Sequence, residues 1–140
     1  MNMPSPLENL ANQTNHLVAE ARDEKELLGL IKSGQTRLHD AQNPALSLES
    51  RFDLAYNAAH ALCLAALRQQ GYRAKNRYIV FQVLPHTLGL GPEVWRILAK
   101  CHDMRNLSEY EGDIDVDARI VTDLITAAIK VLSALTAEKS

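Results

Sequence analysis

The chain is short of the residues that mark several specialised classes of protein. Its two cysteines, Cys63 and Cys101, lie far apart within helical patterns. A disulfide scaffold is therefore not expected, and both read as small buried hydrophobes. With two Phe and one Trp, the core must rest on Leu, Ile, Val and Ala. No apolar run approaches the ~18 residues of a membrane span, and the opening MNMPSPLENL has neither a basic nor an apolar leader segment. A cytoplasmic protein without a membrane partner is expected. Positive charge is not in excess either. Fifteen basic against seventeen acidic residues leave −2, which excludes a globally basic nucleic-acid binder but not a local basic patch.

Metal-ligand spacing is also missing. His60, Cys63, His86, Cys101 and His102 form no CxxC or HExxH pattern. Asp113, Asp115 and Asp117 alternate as in a calcium loop, but the later Gly and Glu of that loop are replaced by Ala118 and Leu124. Helix capping is the better reading of these acids. Gly89-Leu90-Gly91 lacks the further glycine and the preceding strand of a phosphate loop. No metal and no cofactor is implied.

What the chain does have is helical periodicity. At 140 residues and 46 % apolar content, one globular domain over 1–140 is expected. Main helices are expected at about 23–40, 47–70, 92–111 and 116–136, with short helical pieces at 7–19 and 76–84. Ser47 suits a helix N-cap, Pro92 a first helical position, and Gly71 and Gly112 helix stops. Residues 1–6 read as a loose arm and 136–140 as a frayed end. Long helices on short connections give an all-α, up-and-down four-helix bundle with no sheet. Val121, Leu124, Ile125, Ala128 and Leu132 should share its core with Leu48, Phe52, Ala59, Leu62, Val94 and Leu98.

Two helices carry polar rows. Between 94 and 112 the apolar stripe is Val94, Ile97, Leu98, Cys101, Met104 and Leu107, while His102, Arg105, Asn106 and Glu109 lie on another side. Asp53, Asn57 and His60, with Tyr56 beside them, form a similar row on the 47–70 helix. If the two helices face each other, these rows meet. Arg105 would then supply a fixed charge with a planar fork of donors that suits phosphate oxygens. Asn106 and Tyr110 would orient it or the ligand. A smaller basic-aromatic patch, Arg73, Lys75 and Arg77 with Tyr72 and Tyr78, reads mainly as a solvated loop.

At two segments, FDLAYNAAHALCLAALRQQG over 52–71 and MRNLSEYEG over 104–112, the chain resembles the HEPN domain family of prokaryotic toxin–antitoxin and defence systems. The likeness spans about 23–135. It implies a small helical bundle that forms a homodimer, bringing two Arg105 motifs to one cleft. Ribonucleases of the family carry a His shortly after the Arg, whereas this chain has Glu109, Tyr110, Glu111 and Gly112 there. Tyr, with a pKa of about 10, is a poor proton carrier near neutrality. His102 lies one turn before Arg105 instead of after it. The resemblance thus implies a divergent member that binds RNA, a nucleotide or a partner protein through the Arg105 cleft without efficient cleavage. Its alternatives are a metal-independent endoribonuclease using Arg105 with His102 or Tyr110, and a non-catalytic module partnering an antitoxin or a nucleotidyltransferase.

Overall fold

The computed structural model describes residues 5–14, 16–112 and 115–137, with the backbone alone at 110 and 111. Four long helices dominate: α2 (Glu24–Ala41), α3 (Leu48–Gln69), α6 (Pro92–Glu111) and α7 (Ala118–Ala137). Around them lie α1 (Pro6–Gln13), α4 (Arg77–Gln82) and α5 (Leu84–Thr87). Local chemistry sets the ends. The Asp23 carboxylate accepts from the amides of Lys25 and Glu26, and Ser47 Oγ accepts from Ser50 N at 3.1 Å. Asp117 Oδ1 accepts from Ile120 N at 2.8 Å, satisfying one of the unpaired amides of the first turn of α7. Gly112 closes α6 with φ 76°, a left-handed conformation that costs glycine nothing.

Helix α3 is the centre of the bundle. It packs against α2 along its length and against α7, α6 and α4. Ala55, Ala58, Ala59, Ala65 and Ala66 are all fully buried, so α3 is enclosed on several sides and its small residues let neighbours approach. Gly34 on α2 serves the same contact. A Cβ there would lie 2.6 Å from the Leu62 side chain, so the helix propensity lost to glycine is exchanged for close α2–α3 packing.

The expected core is present in outline. Val121, Leu124, Ile125 and Ala128 are buried together with Phe52, Ala59, Leu62, Val94 and Leu98. Leu48 and Leu132 are only half-buried at its edge. Leu107 departs from the expected stripe and is 56 % exposed, because the end of α6 runs clear of the core. Helix α7 has the length and mean hydropathy, 1.7, of a membrane-spanning segment, against the expectation that no segment would. Its apolar residues are instead those that pack into α3, α6 and α2.

The expectation of no sheet is corrected. The piece at 7–19 is helical only to Gln13; β1 (Leu17–Ala19) then pairs antiparallel with β2 (Tyr72–Ala74), which lies in the segment expected to be a loop. The register sets Leu17 opposite Ala74, Val18 opposite Arg73 and Ala19 opposite Tyr72. Three residues are too few to display the alternation of a strand, and Leu10, Thr14, Leu17 and Val18 happen to fall at helical spacing. What selects the extended form is distant: Leu17 is buried in a second small core with Leu7, Leu67, Ile79 and Val83. The segment 76–84 is helical, as its i,i+4 apolar pairs imply. The expected arm and frayed end lie largely outside the described residues.

Candidate functional site

The two polar rows do meet. α3 and α6 bring Asp53 against Arg105 and Tyr56 against Arg105 and His102, with Asn106 on the far side of His102, and α4 adds Arg77, Tyr78 and Phe81. His102 is held at both ring nitrogens. Tyr56 Oη lies 2.9 Å from Nδ1, and Asn106 Nδ2 lies 3.0 Å from Nε2. An amide nitrogen only donates, so Nε2 accepts and Nδ1 carries the proton in this arrangement. The rings of Tyr56, Tyr78 and Phe81 surround the imidazole at centroid distances of 6.3, 5.5 and 6.1 Å.

Arg105 is anchored differently. Its guanidinium carbon sits 4.8 Å from the centroid of the Tyr56 ring, a cation–π geometry. Its one described ion pair is long, Nε to Asp53 Oδ1 at 3.8 Å, and the Asp53 carboxylate is 61 % exposed. Such a pair contributes little and is screened by salt. The Tyr56 side chain thus backs the guanidinium and accepts a hydrogen bond from it, and among the described residues the nearest carboxylate is that of Asp53 at 3.8 Å.

Burial comes first in the electrostatics of the cluster, and the charges of Arg77 and Arg105 add to it. Burial pulls the His60 pKa down to about 4, helped by the charges of Arg77, His102 and Arg105. Burial also pulls His102 below its ordinary value; Arg77 and Arg105 add to this, and Asp103 and Glu109 oppose it. Both histidines are neutral at neutral pH. Burial raises the Tyr56 phenol, against the pull of Arg77 and Arg105. Cys63 and Cys101 take no part. Burial raises both thiols, Cys101 to about 12, so neither supplies a thiolate at neutral pH.

The other expected residues divide. Asn57 Nδ2 donates to Asp53 O of its own helix, 2.9 Å away, and so folds back from the cluster. His60 sits edge-on to Phe81 with centroids 6.1 Å apart, one layer behind Arg105. The Tyr110 side chain lies outside the described residues, as does Asp113 of the acidic run. Among the described residues no group of three His, Cys, Asp or Glu side chains could hold a metal. Arg77 and Phe81 belong to the cluster and were not expected there. Tyr56 had a signal, since 53, 56, 57 and 60 share one helix face.

The basic patch of the 71–77 segment is split by the fold. Arg77, at the start of α4, turns toward Tyr56. Arg73, in β2, turns the other way and pairs with Glu20 Oε2 and Glu26 Oε2, each at 2.7 Å. There it joins Arg68, whose place at the end of an apolar helical stripe carries no signal of a buried charge. Arg68 is 1 % exposed. Its Nε donates to Glu26 Oε1 at 2.5 Å, Nη1 to Glu20 O at 2.9 Å, and Nη2 to Ala21 O at 2.6 Å. Every guanidinium nitrogen has a partner. These bonds tie the end of α3 to the segment leading into α2.

No family model matches this chain, and neither does any curated protein or solved structure. The functional reading therefore rests on the chemistry of the Arg105 cluster.

Proposed function

We propose that the Arg105 cluster binds a phosphate-bearing ligand, RNA or a nucleotide, without efficient cleavage, in a HEPN-like cytoplasmic homodimer. The observation that carries this reading is the Tyr56-backed guanidinium of Arg105, whose described ion pair is a single long contact with Asp53. An arginine backed by a ring, with no close carboxylate partner among the described residues, can turn its planar fork of donors to two oxygens of a phosphate. Arg77 adds a second charge on the same tyrosine. The resemblance to the family over 52–71 and 104–112 points to the same residues and to a shared cleft between two copies.

A second reading is a metal-independent endoribonuclease of a toxin–antitoxin or defence system. The observation that favours it is His102, neutral at neutral pH and one helical turn from Arg105. A neutral imidazole can take a proton from an attacking hydroxyl. Against it, both ring nitrogens are already engaged, so proton transfer would first have to break a hydrogen bond. Association with an antitoxin or a nucleotidyltransferase partner would use the same surface.

Binding of a labelled oligoribonucleotide to wild type and Arg105→Ala tests the first reading. Loss of binding by the variant, with wild-type RNA left uncut, is the expected result. Cleavage that Arg105→Ala and His102→Ala both abolish would establish the second reading in its place.

A further inference from the structure

Next to the Arg105 cluster, α3, β2 and α4 border an open recess of about 220 Å³. Its rim carries Arg73, Lys75, Arg77 and Asn76, and its wall carries His60 with Leu64, Ala74 and Val80. No carboxylate lines it. The charge of Arg73 is already answered by Glu20 and Glu26. Among the described residues neither Lys75 nor Arg77 forms an ion pair. In a chain of net charge −2, two uncompensated cations over an apolar wall make a locally positive recess.

Size restricts the occupant. Pockets that take a whole small molecule run from roughly 300 to 1,000 Å³. This one falls below that range, so it fits part of a longer ligand. Arg77 lines the recess and also acts on Tyr56, the ring beneath Arg105. The recess and the Arg105 cluster therefore share one arginine.

We infer that this pocket seats one nucleotide of a single-stranded polynucleotide, its phosphate at Lys75 and Arg77 and its base against Leu64 and Ala74, while a neighbouring phosphate lies at Arg105. The inference rests on the reading of Arg105 as a phosphate site. Successive cations along a groove are the means by which sequence-tolerant proteins follow a strand. His60, neutral in the free protein, gains a reason to protonate when an anion enters beside it.

Fluorescence anisotropy with a labelled oligouridylate of about eight residues, with uridine monophosphate as the short probe, tests this. Wild type should bind the oligomer at least about tenfold more tightly than the mononucleotide. Lys75→Gln, on an exposed residue, should weaken the oligomer several-fold and lower the slope of log K against log salt by about 0.7. Arg105→Ala should weaken both probes. If Lys75→Gln binds the oligomer as wild type does while Arg105→Ala does not, the pocket inference fails and the Arg105 reading stands. Equal affinity for both probes overturns the strand and leaves a nucleotide site. If wild type binds neither probe, the Arg105 reading fails and takes the pocket inference with it.

Discussion

Arg68 and Arg105 are the same residue type at opposite ends of a contrast. Arg68 lies at the end of α3, fully buried, with each nitrogen matched to a carboxylate or a carbonyl. Arg105 lies on α6, 26 % exposed, backed by a ring and loosely paired with Asp53. The first has no donor left to offer, and its bonds link segments distant in sequence. The second, among the described residues, meets the Tyr56 side chain and one carboxylate 3.8 Å away, and the Tyr56 hydroxyl keeps His102 as a partner when Arg105 is removed. A saturated arginine serves the fold, and an unsaturated but immobilised one is available to a ligand. The carboxylates make the same point. Hydrogen bonds from Arg68 and then Arg73 hold Glu26 below the usual carboxylate range, whereas Asp53 meets Arg105 only at 3.8 Å with its side chain 61 % exposed.

The largest expected effect falls on the saturated side. Arg68→Ala should cost about 2–5 kcal/mol, because it empties the space of a side chain only 1 % exposed and removes the hydrogen bonds that tie the end of α3 to Glu20, Ala21 and Glu26. Urea unfolding would measure it. A loss below about 1 kcal/mol would erase the contrast.

Acid should separate the two regions next. His60 stays neutral in the fold down to about pH 4, while in the unfolded chain it protonates near its ordinary 6.5. The unfolded state then binds more protons, so stability is complete above pH 6.5 and declines as pH falls toward 4. The shift is worth at most about 3 kcal/mol. Glu26 acts in a lower window: its pKa is depressed from 4.5, so its contribution is held above 4.5 and fades only below that. Unfolding free energies between pH 7 and 3 should show two successive declines, and His60→Gln should flatten the upper one. A slope unchanged by that substitution would place the upper decline elsewhere.

Arg73→Ala should do less. Its side chain is 38 % exposed and Arg68 still holds Glu26, so about 1 kcal/mol or less is expected, shrinking further in high salt. A cost comparable to that of Arg68→Ala would mean that the network acts as one unit.

The sequence exposed one side of this contrast far better than the other. The polar rows 53–57–60 and 102–105–106 repeat at helical spacing, so their meeting was legible once α3 and α6 were placed. Arg68 gave no such signal. It ends an apolar stripe, where a charged residue ordinarily faces water, and its acceptors are backbone carbonyls more than forty residues away. The same distance hid the β1–β2 pairing, because three-residue strands have no period to read and their register is set across the fold. Arg73 and Arg77 looked like one patch. Their opposite directions follow from Arg73 being in β2 and Arg77 starting α4, a boundary set by the Asn76 cap. The long helices were readable because apolar spacing, caps and glycine stops all agreed.

The smallest stability change is expected at Arg105, and it comes with the central test. Urea unfolding of wild type and Arg105→Ala, each with and without an excess of oligouridylate, reads fold and binding together, since a ligand of the native state adds RT ln(1 + [L]/Kd) to its stability. Arg105→Ala alone should cost only about 0.5 kcal/mol, the low end for a cation–π contact, and the oligomer should stabilise wild type but not the variant. A variant destabilised as severely as Arg68→Ala, with the oligomer stabilising neither protein, would contradict this and make Arg105 a second structural arginine.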